Sequence, residues 1–475
     1  MVLESCDFTF LFYDYETFGI HPALDKPSQF ACIRTDIHFN IIDIPNEFFC
    51  FPPIDYFPNP ESILITGISP NYVKKYGLNE FEFTDRIHEQ FKRPNTCILG
   101  YNNIKFDDEF TRNIFYRNFF DPYEWSWKNG NSRWDILNVL RACYALRPKG
   151  INWPFRKNSD FPSFKLSDVS KYNNVKHYQA HSAISDVYAT LQIAKLLKRR
   201  QPRLFNYFFK CRNKKQLLKI IDIKNVKPMI YVSQFFGVLK KNVGFIAPIL
   251  WHPNNLNILI AFDLTKNFSI FIEYLINIKG TIEDYSQFFK RGIIFIYVNR
   301  CPILAPINVI KIKFYESFGI DFKLFRKNLS LIRNRIFLKK KLKVVIGNFV
   351  KVQYENIDLQ LYSKLLSSSE KNIVKITHNF LKKCSFDIQF PFLTDRMKSL
   401  FFRCRARNYP NLLNETEKVI WRKYCNSVMT KEKISTYVDR VSELLKLNSK
   451  NFKNVLLLKD LLRYVRNINK KILQA

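Results

Sequence analysis

The sequence predicts an α/β domain, then a β-rich domain, then an all-α C-terminal domain, and three observations point there. Short apolar runs alternate with helix-spaced segments over residues 1–200; β-like runs between Asn, Pro and Gly turns follow; three-to-four-residue apolar spacing returns towards the end. With 475 residues, a prior of one domain per ~150 residues gives two to four. We expect boundaries at 1–200, 201–352 and 353–475.

The elements follow in order. Phe8–Tyr13 (FTFLFY) is an apolar, aromatic run ending at carboxylates, and Thr96–Gly100 is another bounded by polar residues, so both read as buried strands. Helical spacing marks Asp107–Phe120, Trp134–Leu146 and Asp186–Leu197, and Lys198-Arg199-Arg200-Gln201-Pro202 reads as the exit from the first domain. From Lys227 to Ile312 the runs MIYVSQFFG, GFIAPILW, NILIAFDL and GIIFIYV suggest a small barrel or sheet. Ile434–Leu447 and Phe452–Ile472 are spaced as helices. No internal repeat or low-complexity linker interrupts the chain.

Hydrophobic residues at 47% and charged ones at 24% exclude extensive disorder. The net charge of +34 is unevenly placed: 24 basic and 23 acidic residues fall within 1–200, leaving +33 on the remainder. A neutral, acid-bearing part joined to a polycation favours a polyanionic partner, nucleic acid before membrane. No apolar stretch approaches the ~20 residues that span a bilayer, so no membrane association is expected. The start, MVLESCDF, lacks the basic and apolar regions of a secretory signal, which predicts a cytoplasmic protein. Ten cysteines without a C-x-x-C pair read as reduced, buried thiols.

The chemistry lies in the acids. Asp14 and Glu16 follow the first strand directly, and in an extended chain residues two apart share a face, so both can converge on one hard cation. A third acid comes from Asp107, flanked by Asp108 and Glu109, among which spacing cannot choose. The fourth is Asp186, with His181 in the loop before it. Taken singly these are ordinary features: a D-x-E at a strand end is usually solvated turn chemistry, Asp186 a helix-start acid, His181 a loop histidine. Taken together, four carboxylates could hold two divalent ions that clamp the attacking and leaving oxygens of a phosphodiester. A histidine with an unperturbed pKa of ~6.5 can accept a proton from water beside them.

D-x-E-T at the first strand, N-x-x-F-D in the middle and H-x-A-x-x-D on a later helix resemble the three motifs of the DEDDh exonuclease superfamily. FLFYDYETFG-HPALDKPSQFA, LGYNNIKFDDEFTRNIFYRNFFDPYEWSW, RACYALRPKGINWP and RARNYP resemble, over nearly the whole chain, the bacterial exodeoxyribonuclease I family. The resemblance implies a ribonuclease-H-like exonuclease domain, an SH3-like β-barrel domain and an all-α C-terminal domain. It implies 3′-to-5′ release of 5′-mononucleotides from single-stranded DNA, in DNA repair and recombination. Asp14, Glu16, Asp107 and Asp186 would bind two Mg2+ ions, with Mn2+ a substitute, and His181 would be the general base. All five positions carry the family's residue. One position departs: the family's P-S-F-R-L is here Pro162-Ser163-Phe164-Lys165-Leu166, which keeps the charge and loses the planar fork of arginine.

Between the second and third motifs, basic and aromatic residues interleave as single-strand binders require. Phe115 and Phe119 read as core. The resemblance assigns DNA contact to Arg112, Tyr123, Trp127 and Arg141, and in the second domain to Asn257, Asn299 and Arg300. Glu16, Lys165, Thr17 and Phe18 would meet the terminal nucleotide. A dense basic segment, Arg333 to Lys343, is by default a solvated face. The family also docks the acidic C-terminal tail of single-stranded DNA-binding protein, for which Arg147, Tyr207, Lys227 and Arg333 are candidates, and it suggests a monomer. Two other readings share these residues: a DEDDh exoribonuclease, and a non-catalytic single-stranded-DNA-binding repair scaffold.

Overall fold

A computed structural model of the chain describes residues 8–177, 181–278, 285–312, 315, 318–334, 336–348, 354–363, 365–383 and 394–474. The first part runs β1 (Thr9–Thr17), β2 (Pro27–Thr35), β3 (Asn46–Phe49), α1 (Pro60–Thr66), α2 (Pro70–Tyr76), α3 (Glu80–Phe91), β4 (Thr96–Gly100), α4 (Asp107–Arg117), β5 (Ser132–Asp135), α5 (Ile136–Leu146), α6 (Leu166–Tyr172) and α7 (Ala183–Arg200). Its sheet has the order β3-β2-β1-β4-β5, antiparallel on the β1–β2–β3 side and parallel through β4 and β5. The apolar run at the start of β1 is continuous because the strand is central and covered on both faces. Phe10 and Phe12 enter a core with α5 and α7, while Leu11, Tyr13 and Tyr15 enter another with α3 and α4.

Two short helices, α8 (Pro202–Cys211) and α9 (Lys214–Leu218), lead into the second part: β6 (Met229–Val232), β7 (Val243–Trp251), β8 (Ile258–Asp263), α10 (Phe268–Asn277), α11 (Ser286–Lys290), β9 (Ile293–Tyr297), β10 (Ile303–Pro306), α12 (Phe322–Asn334) and α13 (Ile336–Gly347). The strands form an antiparallel sheet, β10-β6-β7-β8-β9. Pro248 is tolerated inside β7 because the register shifts between Pro248 and Leu250, a bulge where no ladder donor is needed. The third part is helical: α14 (Ser368–Lys382), α15 (Asp395–Asn408), α16 (Glu415–Val428), α17 (Lys431–Leu447) and α18 (Phe452–Gln474). Capping boxes at Ser367/Glu370 and Asn414/Glu417 start α14 and α16.

The architecture is the expected one, with finer differences. Trp134 belongs to β5 rather than to α5, β1 extends four residues beyond the apolar run, and helices α10 and α11 interrupt the second sheet's strands. Phe115 and Phe119 are core residues, as expected. All eight described cysteines are free and buried. Among the described residues no helix is long and apolar enough to cross a membrane.

Buried ion pairs fasten the layers. Arg117 on α4 grips Glu80 on α3 through two bonds of 2.6 Å, and that grip holds the Glu80 carboxyl down at about 2 although burial alone would raise it. Arg117→Met would leave Glu80 buried without its partner, a loss of about 3–5 kcal/mol. A lowered urea midpoint at pH 7 is the expected result, with the difference between variant and parent shrinking as pH falls from about 4.5 towards about 2 and Glu80 protonates.

Candidate active site

The site grows from the alternation of β1. Asp14 and Glu16 continue the face of Phe10 and Phe12, and α7 lies across that face. The first turn of α7 carries Asp186. Gln29, opposite Glu16 in the β1–β2 pair, accepts from the Ala183 N–H at 3.2 Å and donates to Glu47 at 2.6 Å. A first-turn amide, which no helical carbonyl can satisfy, is thereby tied beside the acids. One ligand atom each of Glu16, His181 and Asp186 lie within 4.8 Å of one another.

Asp107 arrives from the other side. β4 pairs with β1 only along Thr9–Phe12, and beyond that ladder the Tyr15 N–H donates to Asp107 Oδ1 at 3.2 Å. The start of α4 is thus fastened to the strand of Asp14 and Glu16. Three consecutive acids here have three different fates. Asp108 is fully buried, accepts from Tyr13 Oη at 2.5 Å and Asn103 Nδ2 at 3.1 Å, and pairs with Arg133. Glu109 faces Arg112 at 2.7 Å, Arg300 at 3.2 Å and the Tyr362 hydroxyl at 2.5 Å. Only Asp107 turns to the cluster, where its charge acts on Asp14.

Burial dominates the electrostatics. It pushes Asp14 well above the carboxylate range, helped by the charges of Asp107, Glu16 and Asp186. Burial, then Asp186 and Asp107, push Glu16 up to about 8. Asp107 rises to about 8 by burial, against the stabilising Tyr15 N–H. Asp186 is also raised by burial, though His177 opposes this. Oxygen donors that raise one another's pKa are matched to a hard divalent cation, whose charge would replace the protons.

His181 is exposed and left-handed, with φ 63°, and its backbone N–H donates to the Asp186 carboxylate. A second histidine escaped the sequence reading: His177 Nε2 lies 2.5 Å from Asp186 Oδ1. Its four-residue spacing before His181 was the available signal. Gln29 escaped as well, and nothing in its sequence context marks it.

The remaining candidates lie outside this cluster. Lys165 and Arg141 line a cleft of about 820 Å³ with Arg156, Lys157, Gln234 and Asn242, and Arg141 donates to Gln234 Oε1 at 3.0 Å across the boundary of the first two parts. Trp127 is 60% exposed. Tyr123 lies 5.9 Å from the Arg112 guanidinium. Asn257 accepts from Lys214 at 2.6 Å, and the Asn299 carbonyl accepts from Arg133 at 2.8 Å. Thr17 is buried, its hydroxyl donating to the Gly19 carbonyl at 2.6 Å. One placement departs from expectation. The Phe18 ring is fully buried in the core shared with α15 to α18, because the chain turns inward where β1 ends, so only its backbone can face a nucleotide. Arg112 is buried, with one terminal nitrogen engaged by Glu109 and Tyr362 while its Nε has no partner. Of the docking candidates, Lys227 and Arg333 are exposed and Tyr207 is half-buried; Arg333 donates to the Asn225 carbonyl at 3.2 Å, beside Lys227, while Arg147 donates to the Leu146 carbonyl at 2.5 Å.

Three family models match the chain in sequence: "Exonuclease" over residues 11–194, "Exonuclease I SH3-like domain" over 212–348 and "Exonuclease I C-terminal domain" over 355–468. The exodeoxyribonuclease I of Buchnera aphidicola subsp. Baizongia pistaciae is 48% identical, covering 100% of this chain and 99% of its own length. The crystal structure of E. coli exonuclease I in complex with a dA16 oligonucleotide superposes with a TM-score of 0.89 at 41% identity, covering 97% of this chain and 100% of that one. A complex of exonuclease I with the C-terminal peptide of SSB gives 0.88 at 41% identity, covering 97% and 99%. The zinc-bound E. coli complex with single-stranded DNA gives 0.88 at 42% identity, with the same coverage.

Two outcomes are expected. Asp107→Asn should lose divalent-cation binding in calorimetry without any loss of thermal midpoint in chelator, whereas Asp108→Asn, which leaves Arg133 without its anion, should lose about 3–5 kcal/mol of stability. Glu16 has a folded pKa above its unfolded value, so the metal-free fold holds the extra proton and loses stability as pH rises between them. Glu16→Gln should therefore raise the thermal midpoint of metal-free protein at pH 8.5 and leave it nearly unchanged at pH 4.

Proposed function

The chain belongs to the exodeoxyribonuclease I family and is a 3′→5′ exonuclease of single-stranded DNA; from that premise we propose that Asp14, Glu16, Asp107 and Asp186 hold two divalent cations, Mg2+ in the cell, and that His181 is the general base. The observation that carries this reading is the convergence of Glu16, His181 and Asp186 within 4.8 Å on the matched exonuclease segment. Bound there, the ions would supply the positive charge that favours attack of water on the terminal phosphodiester and departure of the 3′ oxygen. His181, exposed at the edge of the cluster, accepts the proton of that water. His177 keeps the Asp186 carboxylate turned towards the cluster. Release of a 5′-mononucleotide leaves a new 3′ end in the same place.

The groove residues divide the remaining work. Lys165 and Arg141 neutralise phosphates near the terminal nucleotide, and the second part contributes Asn257, Asn299 and Arg300 at the rim. Trp127 offers an exposed ring on which a base can stack. The basic surface around Arg147, Tyr207, Lys227 and Arg333 receives the acidic C-terminal tail of single-stranded DNA-binding protein; that an exonuclease I forms a complex with this peptide supports the partner. The enzyme works as a monomer in the cytoplasm, in DNA repair and recombination.

Incubation of 5′-labelled single-stranded DNA with the protein and magnesium tests the reading. Fragments shortening from the 3′ end, absent in chelator and with Asp186→Ala, are expected; tight binding without nucleotide release would favour the scaffold, and faster loss from RNA the exoribonuclease. Trp127→Ala should weaken binding of an oligonucleotide in chelator by about 1–3 kcal/mol, measured by fluorescence anisotropy.

A further inference from the structure

The segment Arg405-Ala406-Arg407-Asn408-Tyr409-Pro410 at the end of α15 is far in sequence from every acid of the site, yet it shares a core with Phe18, two residues beyond Glu16. Arg407 donates to Asp55 from Nε at 3.0 Å and from a terminal nitrogen at 2.8 Å, and it also holds Asp358 at 2.8 Å. All three side chains are buried. Ala406 shares its core with Phe18, and Asn408 accepts from the Phe81 N–H at 2.9 Å.

Asp55 is followed by Tyr56, whose hydroxyl lies 2.9 Å from the Phe18 carbonyl and 2.9 Å from Asp25 Oδ1. Phe18 and Asp25 bracket the turn in which β1 ends. That turn is pinned throughout. The Phe18 N–H donates to the Lys26 carbonyl at 2.9 Å and its carbonyl accepts from the Asn59 N–H at 2.7 Å. Arg117 donates to the Ala23 carbonyl at 3.1 Å. A Cβ at Gly19 would come within 2.2 Å of the Asp25 carboxyl, so any side chain there would displace the group that Tyr56 holds. Glu16 and Thr17, at the register shift of the β1–β2 ladder, are therefore located by the turn as much as by the sheet.

We propose that Arg407 and Tyr56 are positioning residues for the cation site, so that the helical C-terminal domain, through Asp55 and the 18–26 turn, holds the end of β1 in its cation-binding geometry. This rests on the metal-dependent reading of the cluster above. Neither side chain touches a reacting atom. Each acts on Glu16 through the turn, and the buried, doubly paired guanidinium makes that turn's support stiff.

The test is Mn2+ binding to the full chain without DNA, read as loss of the free-ion signal in electron paramagnetic resonance, beside thermal midpoints and oligonucleotide affinity in chelator. Tyr56→Phe removes one hydroxyl and keeps the ring, and it should weaken Mn2+ binding about fivefold. Arg407→Met should weaken it about tenfold or more, with partial recovery in Arg407→Lys, which can reach only one of the two carboxylates. Oligonucleotide affinity should stay within about twofold. Asn71→Ala is the control. It loosens the same domain boundary elsewhere, where Asn71 donates to Asp460 Oδ1 at 2.9 Å, and should leave Mn2+ binding unchanged. Unchanged Mn2+ affinity in folded Tyr56→Phe, or an equal loss in Asn71→Ala, overturns the proposal even if Arg407→Met fails to fold. Absence of Mn2+ binding to the parent chain that Asp14→Ala abolishes would instead overturn the metal-dependent reading on which it stands.

Discussion

Like charge gathered in a low-dielectric place is the constraint around which this molecule is built. Asp14, Glu16, Asp107 and Asp186 come from the end of one strand and the starts of two helices, and the charges of Asp107 and Asp186 make both Asp14 and Glu16 harder to ionise. Packing has to supply what electrostatics opposes. β1 is covered on both faces, α7 is tied down by Gln29, and α4 is tied by the Tyr15 amide. The contrast with Glu80 shows how local the rule is. Two buried glutamates of one domain go in opposite directions, Glu16 up to about 8 and Glu80 down to about 2, because only Glu80 has an arginine in its grip.

The three parts of the chain are joined by shared cores rather than by separate surfaces. The core under α5 and α7 continues through Phe205, Phe208 and Phe209 into Ile230, Val232 and Phe245 of the second sheet. On the opposite face, α3 and α4 pack against Met397, Leu400 and Cys404 of α15. A nuclease that must hold a flexible strand needs its cleft walls fixed relative to its cations, and continuous apolar contact provides this without any special hinge.

Much of this was legible in the sequence, for reasons particular residues make plain. The two-residue spacing of Asp14 and Glu16 could be read because strand periodicity is local, and the helix starts at Asp107 and near Asp186 could be read from apolar spacing. The choice among Asp107, Asp108 and Glu109 could not, because it is made by Arg133, Arg300 and Tyr362, all distant in sequence. Phe18 looked like a substrate contact beside the acids; its burial depends on α15 to α18, more than 370 residues away in the chain. The pairing of Arg112 with Glu109, three residues back on one helix, is local, whereas its bond to Tyr362 is made only by the fold. His177 was hidden for the same reason: a histidine gains meaning only from the carboxylate that the fold brings to it.

Glu109 carries a consequence for how such a chain can drift over generations. One carboxylate is shared by Arg112 of the first part, Arg300 of the second and Tyr362 of the third, half a helical turn from Asp107. Replacement of any one partner leaves the others competing for a changed charge. In a lineage accumulating lysine and apolar residues, as this composition suggests, these four positions would be expected to change together or hardly at all, so that neighbouring surfaces can be rewritten while this junction is inherited as a unit.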